Sequence, residues 1–444
     1  MAAAIPTVSA RDSLAFNLGH ILPYYLRGIF TKNKFWTSFW NKVHRDPLAV
    51  NFIRRLRRKY KSDYFYISLM RNKSLVVLDP AGIKEVLDHS PMPYAADPKL
   101  KRDGMSHFQP NALTISRNPE WKERRQFTEA VLASSERIHP QAAEFLSAID
   151  QATECLIGNA DQYLVWDDFD HLFKRITLEV IFGHEARDDA AMTDRLTSMM
   201  RESNRVFALG KSKKFDAFYQ RIRHYLESAE QGSLTARCKH APSTAETKVE
   251  NQVPHWMFAM METLATNTMR TLALIVSYPR VEERVRQEIQ KNGTQSPEGI
   301  DELSYLEGCV QEVMRLWPTT PMLTRQTVQE SVLAGNTIPS GTQIVILNGF
   351  NHRDWETDPD IGNFRPEFWL DKPVDYRFNH LSNGTQVCAG KNLALFIAKA
   401  VIASLLLRGR YRLRKPKLDP GEPLPFQYDD FATRLEYFRP FQTP

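Results

Sequence analysis

The stretch PHWMFAMMETLATNTMRTLALIVSY, Pro254 to Tyr278, constrains the fold more than any other part of the chain. Proline suits the first turn of a helix, and no further helix breaker follows it. A helix of more than twenty residues with so few charges hides most of its circumference. Its surroundings are helical too. Helical patterns occupy roughly 119–134, 140–158, 168–183, 189–208 and 214–229 before it, and 279–291 and 302–317 after it. A further buried helix is expected over about 389–408.

Strand signals are short and lie towards the two ends. Tyr64–Met70 and Ser74–Asp79 read as strands, Gln326–Asn348 holds β-prone runs with glycine turns, and further strands are expected near 410–414 and 433–438. The region from about 32 to 60 reads as helix and Ala81–Leu87 as a short one. Residues 90–118 are rich in proline, asparagine and aspartate and have poor periodicity, which marks a site loop. The expected class is therefore mainly α with a small β component. The expected organisation is one interwoven domain over 1–444: a β contribution at about 62–80, a helical body at about 119–317 and a C-terminal region from about 318.

Composition excludes several functions. Four cysteines (Cys155, Cys238, Cys309 and Cys388) without CxxC spacing argue against a structural zinc site or disulfide scaffold, and a cytoplasmic location is expected. The net charge is +6, with basic runs at RRLRRKYK (Arg54–Lys61) and KSKK (Lys211–Lys214). These read as solvated helix faces, with an acidic protein partner as the second reading; no nucleic-acid module accompanies them. ILPYYLRGIF (Ile21–Phe30) is broken by Pro23 and Arg27, so it cannot span a bilayer. It is expected to pack on the body, peripheral membrane contact being the alternative.

Four segments carry chemistry. In GTQVCAGKNLALFIAKAVIASLLL, Cys388 stands where a glycine-bearing loop becomes an apolar helix, a place where free N–H groups and the helix dipole favour a thiolate. In QEVMRLWPTTP, Glu312 and Arg315 lie three apart and share a helix face. In WKERR, Trp121 and Arg125 lie four apart. In FAMMETLATNT, Glu262 and Thr263 place an acid beside an alcohol in an apolar helix, which is costly unless both are hydrogen bonded.

In their order along the chain, and over nearly the whole of it, these segments resemble a cytochrome P-450, a haem-thiolate monooxygenase of the soluble bacterial type. The resemblance implies a triangular α-rich prism with a long central distal helix and a proximal cysteine loop. It implies haem b (iron protoporphyrin IX), with Cys388 as the iron ligand and Gly384, Gly390 and Ala394 in the family's register. Leu381, Ser382 and Gln386 stand where the family has phenylalanine, glycine and a basic residue. Trp121, Arg125 and Arg325 would hold the haem propionates, with Gln386 as a neutral donor. Glu312 and Arg315 would brace the cysteine loop, although FRPEFW puts Phe368 where the third member, an arginine, is expected. Thr263 and Glu262 would handle oxygen and protons, with Met260 in place of a glycine.

The implied reaction is oxygenation of an apolar or aromatic small molecule by dioxygen. Electrons would come from a separate ferredoxin- or flavodoxin-type donor with its reductase, since the sequence shows no P-loop, Rossmann fingerprint or ferredoxin-type cysteine cluster. Residues 90–118 and 189–229, the distal helix, and Met322 and Leu323 would line the substrate cavity. The alternatives are a peroxide-driven or rearranging haem-thiolate enzyme, and a non-catalytic helical binding or electron-transfer protein.

Overall fold

The computed structural model describes residues 3–43, 45–70, 72–205, 212–370 and 374–439. Pro254–Tyr278 forms a helical rod in three pieces: α-helix Val253–Phe258, a π-helical segment Ala259–Leu264, and α-helix Ala265–Ser277. Residues 264–275 are buried without a break, so this part has no solvent face. Helices Trp166–Phe182, Ser304–Leu316 and Lys391–Arg408 pack around it. Their apolar faces meet in a core that runs from Phe30 to Tyr437.

The remaining expected helices fall at Glu120–Val131, Ala142–Asn159, Ala190–Ser203, Phe215–Ser228 and Pro279–Asn292. The Asp189 side chain accepts the Met192 N–H at the start of Ala190–Ser203. The end of the helix expected to reach 208, and Lys211 of KSKK, lie outside the described residues.

Two expectations need correction. The helix at 32–60 is two helices, Lys34–Lys42 and Arg45–Tyr60. Pro47 is tolerated in the first turn of the second but would break a continuous one. The irregular stretch 90–118 contains a helix, Lys99–Ser106, which follows Pro98 and buries only Met105 fully, so no apolar period marks it. It also supplies a short strand, Tyr94–Ala95.

The main sheet has the strand order Tyr64–Leu69, Asn72–Val77, Gln343–Ile346, Leu323–Thr327, Tyr94–Ala95. Asn72–Val77 runs parallel to Gln343–Ile346, with Val76 opposite Val345; the other pairings are antiparallel. A second sheet joins Tyr163–Leu164, Arg434–Phe438 and Arg410–Lys415, and Ser331–Leu333 pairs with Asn336–Ile338. All four cysteines are free thiols, and among the described residues no helix is long and apolar enough to cross a membrane.

Candidate active site

Cys388 lies between a turn at Gly384–Gln386 and the helix Lys391–Arg408. The loop is closed by its own backbone: the Cys388 N–H donates to Leu381 O at 2.9 Å, and the Lys391 N–H donates to Cys388 O at 3.2 Å. Gly384 has φ +67°, and a Cβ there would lie 2.3 Å from Leu87 O, so this turn requires glycine. The turn is docked by the Thr385 hydroxyl, which donates to Ser90 O. On its other side Arg125 Nη1 donates to Val387 O at 2.7 Å, and the Ser134 hydroxyl donates to Ala389 O. Gly390 has φ −95°, and a Cβ there would make ordinary contact with Leu132 Cδ1 at 3.5 Å. What it contributes is its N–H, aimed at the Cys388 sulfur. Ala394 sits one turn on, its N–H donating to Gly390 O at 2.8 Å.

Cys388 keeps an accessible side although it is set deep in the protein. Burial pushes its thiol pKa up, against the Gly390 N–H and the charges of Arg125 and Lys391. Among the described residues no group of three or more His, Cys, Asp and Glu could hold a metal ion. A single protein sulfur suits a metal whose equatorial ligands come with a cofactor.

The polar groups around the loop favour an anionic cofactor. Arg325 is 4% exposed and donates to Ser90 Oγ and Thr324 O; it has no carboxylate partner among the described residues, and burial pulls it down to about 10. Beside it Lys101, bonded among the described residues to the carbonyls of Ala96 and Thr114, is brought to about 7 by burial and by the Arg325 charge. Gln386 Nε2 is buried without a hydrogen-bond partner among the described residues. Unpaired buried cations are costly unless a negative group completes them. Two propionates would do so, and the residues fit haem b. Arg125 also pairs with Glu129 Oε1 at 2.6 Å, and Trp121 lies half-buried one turn before it.

Glu312 and Arg315 are fully buried and paired, Arg315 Nη2 to Glu312 Oε1 at 2.6 Å and Nε to Oε2 at 2.8 Å. The place of the missing arginine is taken by Trp369, whose indole N–H donates to Glu312 Oε2, and by the Arg365 backbone N–H on Oε1. Arg315 then spends its other N–H groups on the carbonyls of His352, Ile361 and Asn363. His352 accepts the Asn379 N–H at Nε2, so its proton is on Nδ1, donated to Arg315 O. Phe368 packs on Phe378, two residues before His380 in the chain leading to Cys388. The network therefore ends on the cysteine loop without its expected third arginine.

On the distal rod, Ala259–Leu264 is the π-helical segment, and it carries Glu262 and Thr263. The rod opens there even though Met260, 7% exposed, stands where glycine is expected. The Thr263 hydroxyl makes no hydrogen bond among the described residues, whereas the Thr271 hydroxyl donates back to Asn267 O. Burial pushes Glu262 up to about 6, while Lys32 and Thr31 hold it down; the charges of Asp170 and Lys174 act on it in opposite directions and more weakly. Lys32 in turn donates to Asp430 at 2.6 Å and Thr266 at 3.2 Å. The π segment packs against the helix that starts beside Cys388. Phe30, Phe108 and Phe258, with centroids 5.5 to 6.5 Å apart, form an apolar wall at its N-terminal end. Met322 lines a cavity of about 160 Å³ with Tyr24, Trp317 and Phe350, while Leu323 packs against the sheet.

Sequence reasoning missed Lys32, Lys101 and Trp369. Lysines that stand close to other basic residues read as solvated. Trp369 stands one position beyond the expected arginine, and only its place in FRPEFW could have pointed to it.

The chain matches the cytochrome P450 family over residues 32–232 and 231–428. A cyclooctat-9-en-7-ol 5-monooxygenase of Streptomyces melanosporofaciens is 27% identical over 340 residues, 68% of this chain and 73% of that protein. The mitochondrial 1,25-dihydroxyvitamin D(3) 24-hydroxylase of Mus musculus is 33% identical over 149 residues, 32% of this chain and 29% of that protein. An indoleacetaldoxime dehydratase of Arabidopsis thaliana is 31% identical over 147 residues, 31% of this chain and 29% of that protein. The matches thus span less than a third of the length of the last two.

Proposed function

This chain belongs to the cytochrome P450 family and is an enzyme of the monooxygenase type, and from that premise we propose that it oxygenates an apolar or aromatic small molecule. The observation that carries this reading is the opening of the distal rod at Glu262 and Thr263, on the segment packed against the helix that starts beside Cys388. Haem, when bound, supplies the activation of dioxygen. Cys388 would hold its iron, with the Gly390 N–H on the sulfur moderating the charge. Arg325 and Gln386 would bind the propionates, joined by Trp121 and Arg125.

Glu262 holds or releases a proton at its carboxyl, and Lys32, with its side chain 26% exposed, links it towards solvent. The Thr263 hydroxyl is free to donate a hydrogen bond to a ligand beside the rod. Phe30, Phe108 and Phe258 favour an apolar substrate and exclude water from its side of the site. The one-domain organisation over 1–444 and an electron donor of ferredoxin or flavodoxin type belong to the same proposal. The first is supported by the strand pairing between residues 72–77 and 343–346, the second by the +6 charge.

The test is a haem-reconstituted preparation screened against a library of apolar ligands for a spin-state change, followed by product analysis with reductant and redox partners. Hydroxylated or dealkylated product, abolished by Cys388→Ser, is the expected result. A second reading is favoured by Met260 in the opened segment and by the dehydratase among the relatives: a rearranging or dehydrating haem-thiolate reaction. Turnover without reductant would select it.

A further inference from the structure

The cavity of about 160 Å³ beside Met322 takes no part in the site described above. None of the residues lining it belongs to the cysteine loop, to the π-helical segment Ala259–Leu264 or to the residues assigned to the propionates. Its walls come from the helix ending at Arg27, from Arg45–Tyr60, from the segment after Ser304–Leu316 and from residues 426–428. Trp317, Met322, Phe350 and Phe426 make it largely aromatic. An apolar cavity of about 150 Å³ has room for one benzene ring.

The polar side of the cavity is cationic. Arg27, Arg270 and Arg353 line it, whereas no aspartate or glutamate among the described residues does. Arg270 is neutralised by Asp430, its Nε and Nη2 donating to the two carboxylate oxygens at 2.7 and 2.9 Å. Arg353 is different. It is 2% exposed and donates from its Nη groups to the carbonyls of Leu316, Leu424 and Pro425. Its Nε is buried without a partner, and it has no carboxylate partner among the described residues. Its guanidinium lies 4.4 Å from the centre of the Phe426 ring, and burial pulls its pKa down to about 9. A buried cation without a counter-charge is costly, and a bound anion would remove that cost.

The Tyr24 hydroxyl, also on the cavity, makes no hydrogen bond among the described residues. Burial pushes it up to about 12, so it stays protonated and able to donate. His20 and Gln427 complete the polar lining. One guanidinium and one hydroxyl suit a carboxylate, whereas a phosphate, with more oxygens and more charge, needs a fuller set of donors. The aromatic walls suit a ring attached to it.

We propose that this cavity is a binding site for a small aromatic carboxylate, its acid group on Arg353 and the Tyr24 hydroxyl and its ring among Trp317, Met322 and Phe350. The site does not depend on the oxygenation reading.

The experiment is calorimetric titration of the full haem-reconstituted chain with benzoate and with benzamide, its neutral isostere, while the haem absorption band is recorded. Benzoate should bind tighter than benzamide by on the order of tenfold or more and leave the band unmoved. Tyr24→Phe should weaken benzoate by roughly tenfold. Ala49→Phe, which fills the cavity from Arg45–Tyr60, should abolish binding. Both variants leave the bonds of Arg353 to the three carbonyls in place, and thermal unfolding checks that each is folded. The proposal is overturned if benzoate does not bind at millimolar concentration, if benzamide binds as well, or if folded Tyr24→Phe binds benzoate as wild type does. It is also overturned if benzoate moves the haem band and Ala49→Phe leaves that movement unchanged, which would put the ligand beside the haem.

Discussion

Trp369 donates its indole N–H to Glu312 Oε2 at 2.8 Å, giving that fully buried carboxylate a fourth donor beside the two bonds from Arg315 and the Arg365 N–H. Trp369→Phe keeps a ring against Phe378 and His380 but removes the donor. A buried charged acceptor that loses a partner costs about 1–3 kcal/mol. That loss is expected in urea unfolding, with faster haem release, because the network ends on the cysteine loop.

The two glycines flanking Cys388 should behave differently. Gly384→Ala places a side chain at φ +67° and against the backbone of Leu87, and a loss of more than about 2 kcal/mol is expected. Gly390→Ala has neither problem and should stay within about 1 kcal/mol of wild type. Thermal unfolding of the two variants side by side checks this.

Thr263→Ala removes a hydroxyl that has no protein partner among the described residues, so stability should be nearly unchanged. Product formed per electron consumed should fall by roughly tenfold, with peroxide released instead, while Thr263→Ser retains most of the coupling. Parallel assays of reductant, product and peroxide read the outcome.

Burial raises Glu262 from 4.5 to about 6, so its neutral form is the one the fold favours. The stability this contributes is fully present below pH 4.5 and is lost as pH rises through about 6. Across that window wild type should lose about 2 kcal/mol relative to Glu262→Gln. Lys32 pulls the carboxyl down, so Lys32→Met should move the midpoint above that of wild type. Denaturant unfolding across the pH range gives both numbers.

The parts of this molecule legible in the sequence are those set by local chemistry. An apolar run of the length of Pro254–Tyr278 has to be a buried helix, and the order of helices around it follows from their periods. The opening at Ala259–Leu264 is not legible, because a π turn adds one residue to a loop of hydrogen bonds and leaves no compositional mark; Met260 even argued against it. The break between Lys42 and Arg45 was available in Pro47, but the basic helix that follows masks it. The helix Lys99–Ser106 is polar nearly all round and gives no period to read. The partners of Glu312 were out of reach for another reason. Trp369 is 57 positions away, and its role depends on a backbone path that only tertiary structure defines.

The parallel pairing of Asn72–Val77 with Gln343–Ile346 has a consequence for how the protein is made. A ribosome that has just released the first of these strands has most of the chain still to synthesise before its neighbour exists. Throughout that interval Leu75, Val76 and Val77, each fully buried at the end, present an apolar strand with one unpaired edge. The nascent chain therefore carries that open edge throughout the synthesis of residues 78–342.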